Sequence, residues 1–254
     1  MSAANDNIIE VTGMTVGYDD YVILKDLNFS VRKEEIFVIL GGSGCGKSST
    51  LKHMIGLSKP LAGDILIKGR SIVNTSEEGR DELTREFGVL YQSGALFSSL
   101  TLEENVSLPL QEFTDYSPEM ISAVAKYKLS LVGLEKFADF MPSEISGGMK
   151  KRAGLARAMA LDPDILFFDE PSAGLDPISS AELDKLILEL REKMKTTMVI
   201  VTHELDSIYS VADRVIILDK EIQGIIDEGD PRYLRDHSTH EWVREFLNRL
   251  SMRG

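Results

Sequence analysis

Hydrophobic and polar positions divide the chain into three stretches with different periods. Over residues 8–40 the runs IIEVTGMTVGY, VILKDLNFSV and EIFVIL read as strands, with Asp19-Asp20 and Arg32-Lys33-Glu34 as the turns between them. A short helix over 48–56 follows, closed by Gly56, and after Lys59-Pro60 and Gly63 the segments ILIKG and SIVN read as short strands. GRDELTRE then reads as a surface helical turn, and Phe87 to Tyr91 as a buried strand.

From about residue 93 to 160 the period changes to that of helices, in LTLEENVSLPL, in SPEMISAVAKYKLSLVGL and in GMKKRAGLARAMAL, where a helix is expected over Lys150–Leu161. The chain then returns to the strand ILFFDE, a helix over 178–194, the strand TTMVIVT, a helix over 204–212 and the strand RVIILD. That alternation is a βαβ series and implies a parallel sheet. The expected fold is α/β: a mostly parallel core from 1–92 and 158–254, an antiparallel strand layer at the N-terminal end, and a helical lobe over 93–157, all within one domain. A short amphipathic helix over 239–250, with Trp242, Phe246 and Leu250 on one face, is expected to pack on the parent domain. No internal repeat and no low-complexity linker interrupts the chain.

Length and charge narrow the function. The 254 residues can bury one large core, or a core with a smaller lobe, and the formal net charge of −13 argues against nucleic acid as a partner. The one cysteine, Cys45, excludes an internal disulfide and fits a reducing compartment, where it reads as a small filler. No apolar run approaches the roughly 18 residues that would span a bilayer. MSAANDNIIE has neither a basic start nor an apolar h-region, so a cytoplasmic protein is expected, with any membrane role supplied by a partner.

The chemistry centres on GGSGCGKS at residues 41–48, which leaves the apolar run Ile36–Leu40 and opens a helix. A glycine-rich loop in that context turns several backbone N–H groups inward and adds the positive end of a helix dipole, the arrangement that cradles a triphosphate. Gly41, Gly42, Ser43, Gly44, Cys45, Gly46, Lys47, Ser48 and Ser49 therefore form a candidate nucleotide site. Within it Lys47 reaches the β and γ oxygens and Ser48 offers its hydroxyl to Mg²⁺.

A second cluster lies at DILFFDE, residues 164–170, a continuous apolar strand that ends in two carboxylates. Asp169 is placed to reach Mg²⁺, and Glu170, one residue on, to orient or deprotonate an attacking water. As a lone pair these would read as a solvated turn; after a phosphate loop they read as functional. His203, expected one residue beyond the strand TTMVIVT, is a candidate contact to the γ-phosphate, although a lone histidine is more often structural. Gln92, just after FGVLY, can bind Mg²⁺ or water where the core meets the helical insert, linking nucleotide state to lobe movement. Ser146-Gly147-Gly148 before a helix form a second anion site without a lysine. On those three residues alone an ordinary capped helix is the plainer reading. Together with the first loop, they suggest two subunits set head to tail, each completing the other's site.

Taken in order, GGSGCGKS, Gln92, ISGGM, ILFFDEP, SAGLD and His203 resemble the ATPase subunit of ABC transporters over essentially the whole chain. The resemblance implies ATP and Mg²⁺ as cofactors, with Ser48, Gln92 and Asp169 as the metal's ligands and Glu170, His203 and Gln92 as the catalytic set. It also implies that Ser146, Gly147 and Gly148 contact the γ-phosphate held by the opposite subunit, and that Ser172 to Asp176 line the dimer seam. Tyr18 stands where the family places an aromatic that stacks on adenine, the plain alternative being a strand-end tyrosine. One departure is Met149, where the family usually has glutamine, so a polar side-chain contact is lost while Ser146 and the backbone contacts remain.

SGGM followed by KKRAGLARA, with QSGALFSSLTLEENVSLPL, resembles the ATPases of Mla/Mce-type transporters, which move phospholipids or other hydrophobic molecules between membranes. Expected partners are a second copy of the chain, an integral membrane permease that carries it to the inner face of the plasma membrane, and a substrate-binding Mce-type subunit. The competing readings are an ABC ATPase for another substrate class and a soluble assembly scaffold, as in iron–sulfur cluster biogenesis. A GTPase is disfavoured because no NKxD-type segment is present, and an ABC translation factor would need two such loops in one chain.

Overall fold

The structure is a computed structural model that describes residues 6–248. It divides into two compact units, one built from the chain up to Thr84 together with Thr197 onward, the other from Arg85–Thr196.

The first unit begins with two long strands, β1 (Asn7–Tyr18) and β2 (Tyr21–Arg32), paired antiparallel through a two-residue turn. Period-two alternation buries Ile9, Val11, Met14 and Val16 of β1. The strand β3 (Ile36–Gly41) is buried at every position, which is why its sequence is an unbroken apolar run. The phosphate-type loop follows, then α1 (Lys47–Met54). β4 (Ala62–Ile67) joins β1 antiparallel and carries β5 at its far side, and α2 (Glu77–Thr84) is a surface helix. Of the expected strand SIVN only the start is extended, since β5 is Arg70–Ser71.

The second unit contains a parallel pair, β6 (Phe87–Leu90) and β7 (Ile165–Asp169), with Leu90 opposite Phe168. Helices α3 (Leu102–Phe113), α4 (Pro118–Leu131), α5 (Gly147–Ala158) and α6 (Pro177–Met194) surround it. Their starts follow local chemistry. Thr101 and Glu104 form a reciprocal capping box on α3, and Ser117 and Asp176 cap α4 and α6, each followed directly by proline. α5 begins three residues before the expected Lys150, because Ser146 caps it and the two glycines form its first turn. Gly88 of β6 lets α5 approach closely: a Cβ there would lie 1.9 Å from the carbonyl oxygen of Ala158.

The chain then re-enters the first unit as β8 (Thr197–Val201), α7 (Leu205–Val211) and β9 (Arg214–Asp219). β8 and β9 flank β3 in parallel, and β10 (Gly224–Gly229) closes that edge antiparallel to β9. Arg214 joins the strand layers of this unit. Its guanidinium donates to both oxygens of Glu35 at 2.7 and 2.9 Å and to the Ser30 carbonyl at 2.7 Å, pairs with Glu228, and lies 4.8 Å from the Phe37 ring centroid. β10 and the helix α8 (Pro231–His237) were not expected from the sequence. The last helix, α9 (Glu241–Asn248), buries Val243, Phe246 and Leu247 and receives a 2.7 Å hydrogen bond from Tyr209 Oη at the Leu247 carbonyl. Its inward face is therefore not the expected Trp242–Phe246–Leu250 stripe: Trp242 is half-buried and stacks on Phe246, while Leu250 lies outside the described residues.

The close packing at Gly88 predicts that Gly88→Ala will force α5 away from β6. Overpacking of a rigid backbone contact of this kind costs about 1–3 kcal/mol, so the urea midpoint of the variant should fall measurably while its slope is unchanged.

Candidate functional site

In the first unit, β3 delivers the loop 41–46 at the end of a fully buried strand, and the loop turns directly into α1. Gly46 stands at the helix start with φ 104°, a left-handed conformation that a Cβ would oppose. The same Cβ would meet Ile23 and Leu24 at 2.8 and 2.9 Å. Unlike α3, α4, α5, α6 and α8, helix α1 has no side-chain cap hydrogen bond. A helix start without a side-chain cap suits an anion, which the helix dipole also favours. A Cβ at Gly42 or Gly44 would have nothing within 4 Å, so the space beside these two glycines is open.

Lys47 lies along the loop, buried, with its ammonium donating to the carbonyls of Gly41 at 3.0 Å and Gly42 at 3.1 Å. Cys45 is buried, and burial pushes its thiol above the ordinary range, against a smaller opposing pull from the Lys47 charge. It fills space beside Gly41, as the sequence predicts, rather than acting as a nucleophile. Ser43 is exposed, and Ser48 and Ser49 are half-buried in the first turn of α1. Tyr18, at the end of β1, donates its hydroxyl to Ser49 Oγ at 3.1 Å, which brings an exposed aromatic ring to the start of α1. β8 runs parallel to β3 with Val201 opposite Ile39, so His203 emerges at the same strand edge as the loop. The strand ends at Val201, so exposed His203 is the second residue past it and not the first.

The second unit repeats the arrangement at the ends of β6 and β7. Gln92 is exposed two residues beyond β6, and Asp169 and Glu170 are half-buried at the end of β7. Glu170 has φ 49°, a left-handed conformation for a non-glycine residue, such as accumulates at functional sites. Tyr91 beside Gln92 has its phenol pushed up chiefly by burial, with Asp169 adding to the rise and Arg157 opposing it. No sequence pattern singles out Arg157, whose guanidinium donates to the carbonyls of Ala95 and Gly94 at 2.8 and 3.2 Å and so fixes the segment after Gln92. Ser146 accepts the Met149 N–H at 3.2 Å, while Ser146 and Gly147 are exposed, so this helix N-terminus is open at the surface. Met149 lines a cleft of about 160 Å³ with Ser146, Gly148, Leu175 and Ser179.

Ser48 in the first unit, and Gln92 and Asp169 in the second, are each of a type that suits magnesium. They are a serine hydroxyl, an amide and a carboxylate, all hard oxygen ligands of the kind Mg²⁺ takes alongside water and phosphate. No cluster of three or more histidine, cysteine, aspartate or glutamate side chains able to hold a metal alone occurs among the described residues.

Known proteins agree with this geometry. A family model described as ABC transporter matches residues 24–173. Over 230 residues the chain is 41% identical to the intermembrane phospholipid transport system ATP-binding protein MlaF of Haemophilus influenzae, spanning 91% of this chain and 86% of that one. Over 240 residues it is also 41% identical to the probable ribonucleotide transport ATP-binding protein mkl of Mycobacterium tuberculosis, spanning 94% of this chain and 66% of that longer one. The dimeric structure of the ATP-binding cassette MJ0796, in a post-hydrolysis state bound to ADP and Pi, superposes with a TM-score of 0.79 at 29% identity, over 87% of this chain and 98% of that one. A loop built to receive phosphates and a match that runs through both units place this chain in the ABC transporter family, as an ATPase subunit.

Proposed function

We propose that this chain powers phospholipid transport by an Mla/Mce-type complex, hydrolysing ATP as a head-to-tail dimer. The observation that carries the lipid assignment is the 41% identity with the Haemophilus phospholipid-transport protein, which extends over 91% of this chain and 86% of that one. The mycobacterial relatives named for ribonucleotide transport reach the same identity but continue well beyond the region they share with this chain.

In this reading Tyr18 stacks on the adenine, the 41–49 loop and the start of α1 take the phosphates, and Lys47 exchanges its two carbonyl partners for phosphate oxygens. Ser48, Gln92 and Asp169 would hold the magnesium ion, which when bound supplies charge neutralisation on the phosphates. Glu170 takes a proton from the attacking water, and His203 contacts the γ-phosphate. The exposed N-terminus of α5, with Ser146, Gly147 and Gly148, serves the nucleotide of the second copy; an open helix N-terminus on the surface supports that role.

Among the described residues no helix is long and apolar enough to cross a membrane. The membrane step accordingly falls to a permease, which holds the chain at the cytoplasmic face. Phe97, Tyr116, Met120 and Phe140, all exposed in the segment that carries α3 and α4, supply apolar surface for such a partner.

Three outcomes test this reading. Glu170→Gln should slow steady-state hydrolysis at least tenfold with nucleotide affinity kept, and an unslowed variant rejects Glu170 as the base. Lys47→Ala should weaken ATP binding by at least tenfold in an equilibrium titration, since the ammonium is the loop's positive side chain. Tagged Glu170→Gln protein purified from membranes in mild detergent should carry a permease, an Mce-type subunit and phospholipid, identified by mass spectrometry. Another permease without lipid would keep transport and discard the lipid, and soluble partners alone would favour an assembly scaffold.

A further inference from the structure

One side chain in the second unit breaks the pattern of its helix. The buried face of α5 includes Gly154 and Leu155 in the i+3 and i+4 sense from Lys151, and Lys151 is itself buried at 5% exposure. A lysine at such a position normally reaches out along its stem to water. Here the ammonium instead points into the loop that leaves β7. It donates to the carbonyls of Pro171 at 2.5 Å and Ala173 at 2.6 Å, with the Glu170 carbonyl at 3.4 Å.

The loop's own hydrogen bonds leave room for this contact. Ala173 N–H goes to the Glu170 carbonyl at 3.2 Å and Leu175 N–H to the Ser172 carbonyl at 3.0 Å. Lys151 serves the carbonyls in between, those of Pro171 and Ala173. Buried carbonyls need partners, and one ammonium with three donors can satisfy several at once. The same loop starts with Glu170 in its left-handed backbone conformation, a state that persists only where the surroundings determine it.

We propose that Lys151 is a positioning residue for ATP hydrolysis: it holds the loop 170–173, and through it the Glu170 carboxylate, against the helix whose N-terminus carries Ser146, Gly147 and Gly148. One rigid helix then bears the surface offered to the second copy's nucleotide at its start and, one and a half turns later, the clamp on this copy's own catalytic loop. Displacement of the helix start moves the loop with it. The inference rests on Glu170 acting as the base.

The test uses the full chain and the split between turnover and binding. Lys151→Met keeps the stem and removes the donors; it should lower kcat at least tenfold while KM for Mg-ATP changes less than threefold. Lys151→Arg, which can still donate to neighbouring carbonyls, should recover kcat to within threefold of the native protein. In a Glu170→Gln background, Lys151→Met should change the residual rate by less than twofold, because residues acting as one unit are not additive. A lysine that merely stabilises the fold would instead lower the rate by the same factor in both backgrounds, and that result overturns the proposal, as does a native kcat for Lys151→Met. If thermal melting shows Lys151→Met unfolded, Lys151→Gln carries the same comparison. Glu170→Gln slowed and Lys151→Met not slowed defeats the lysine assignment alone; Glu170→Gln not slowed defeats the base assignment and the clamp with it.

Discussion

A backbone N–H taken out of water without a partner is costly, and a helix has several such groups at its start. Most helices here solve this locally: Thr101, Ser117, Asp176 and Asp230 each accept hydrogen bonds from the first turn that follows. α1 does not. It begins from Gly46 with no side-chain cap, at the end of a strand that is buried throughout, so the start of the helix is held in place by the strand. At that edge of the first unit stand Lys47 on the loop carbonyls, Tyr18 on Ser49 and His203 beyond β8, the residues proposed to receive the nucleotide.

The charge balance of the loop shows why ligand exchange at Lys47 is feasible. Its ammonium is buried but rests on two neutral carbonyls of the loop itself, at 3.0 and 3.1 Å. Hydrogen bonds of this kind compensate desolvation only partly, whereas a phosphate brings formal negative charge and shorter, charge-assisted bonds. In the proposed nucleotide complex the same side chain would exchange these carbonyls for phosphate oxygens. In the second unit a lysine plays the complementary part. Lys151 also lies on backbone carbonyls, but those carbonyls belong to a segment it must hold still.

Identity with the phospholipid-transport and the ribonucleotide-transport relatives is equal, at 41%, which reflects where sequence similarity in such proteins resides. The strands and loops that handle ATP occupy most of the chain and say nothing about cargo. Phe97 and Phe140, by contrast, are single exposed apolar residues on the surface proposed for a permease. The decisive observation on substrate must therefore come from the assembled complex.

The strand runs around β3, β7, β8 and β9, the phosphate loop, the two carboxylates and the Ser146 cap were all legible in the sequence, because each depends on short-range chemistry: a buried run, a glycine spacing, a cap one turn from its target. Boundaries shifted where competing local signals met, as at the start of α5, where glycines that look like a loop are the first helical turn. β10 escaped notice because GIIDEG is a half-exposed edge strand with little apolar periodicity, and its pairing with β9 is decided by the neighbour. α9 buries Val243 and Leu247 beside the expected Phe246, with the Leu247 carbonyl accepting from Tyr209 of α7. Nothing in the sequence singles out Arg157 or Lys151; only the packing of α5 brings them onto the carbonyls of segments 63 and 20 residues distant. The sequence by itself determined which chemistry is present and at which strand ends. The tertiary structure alone decided which cations are buried on which carbonyls, because that depends on contacts between segments far apart in the chain.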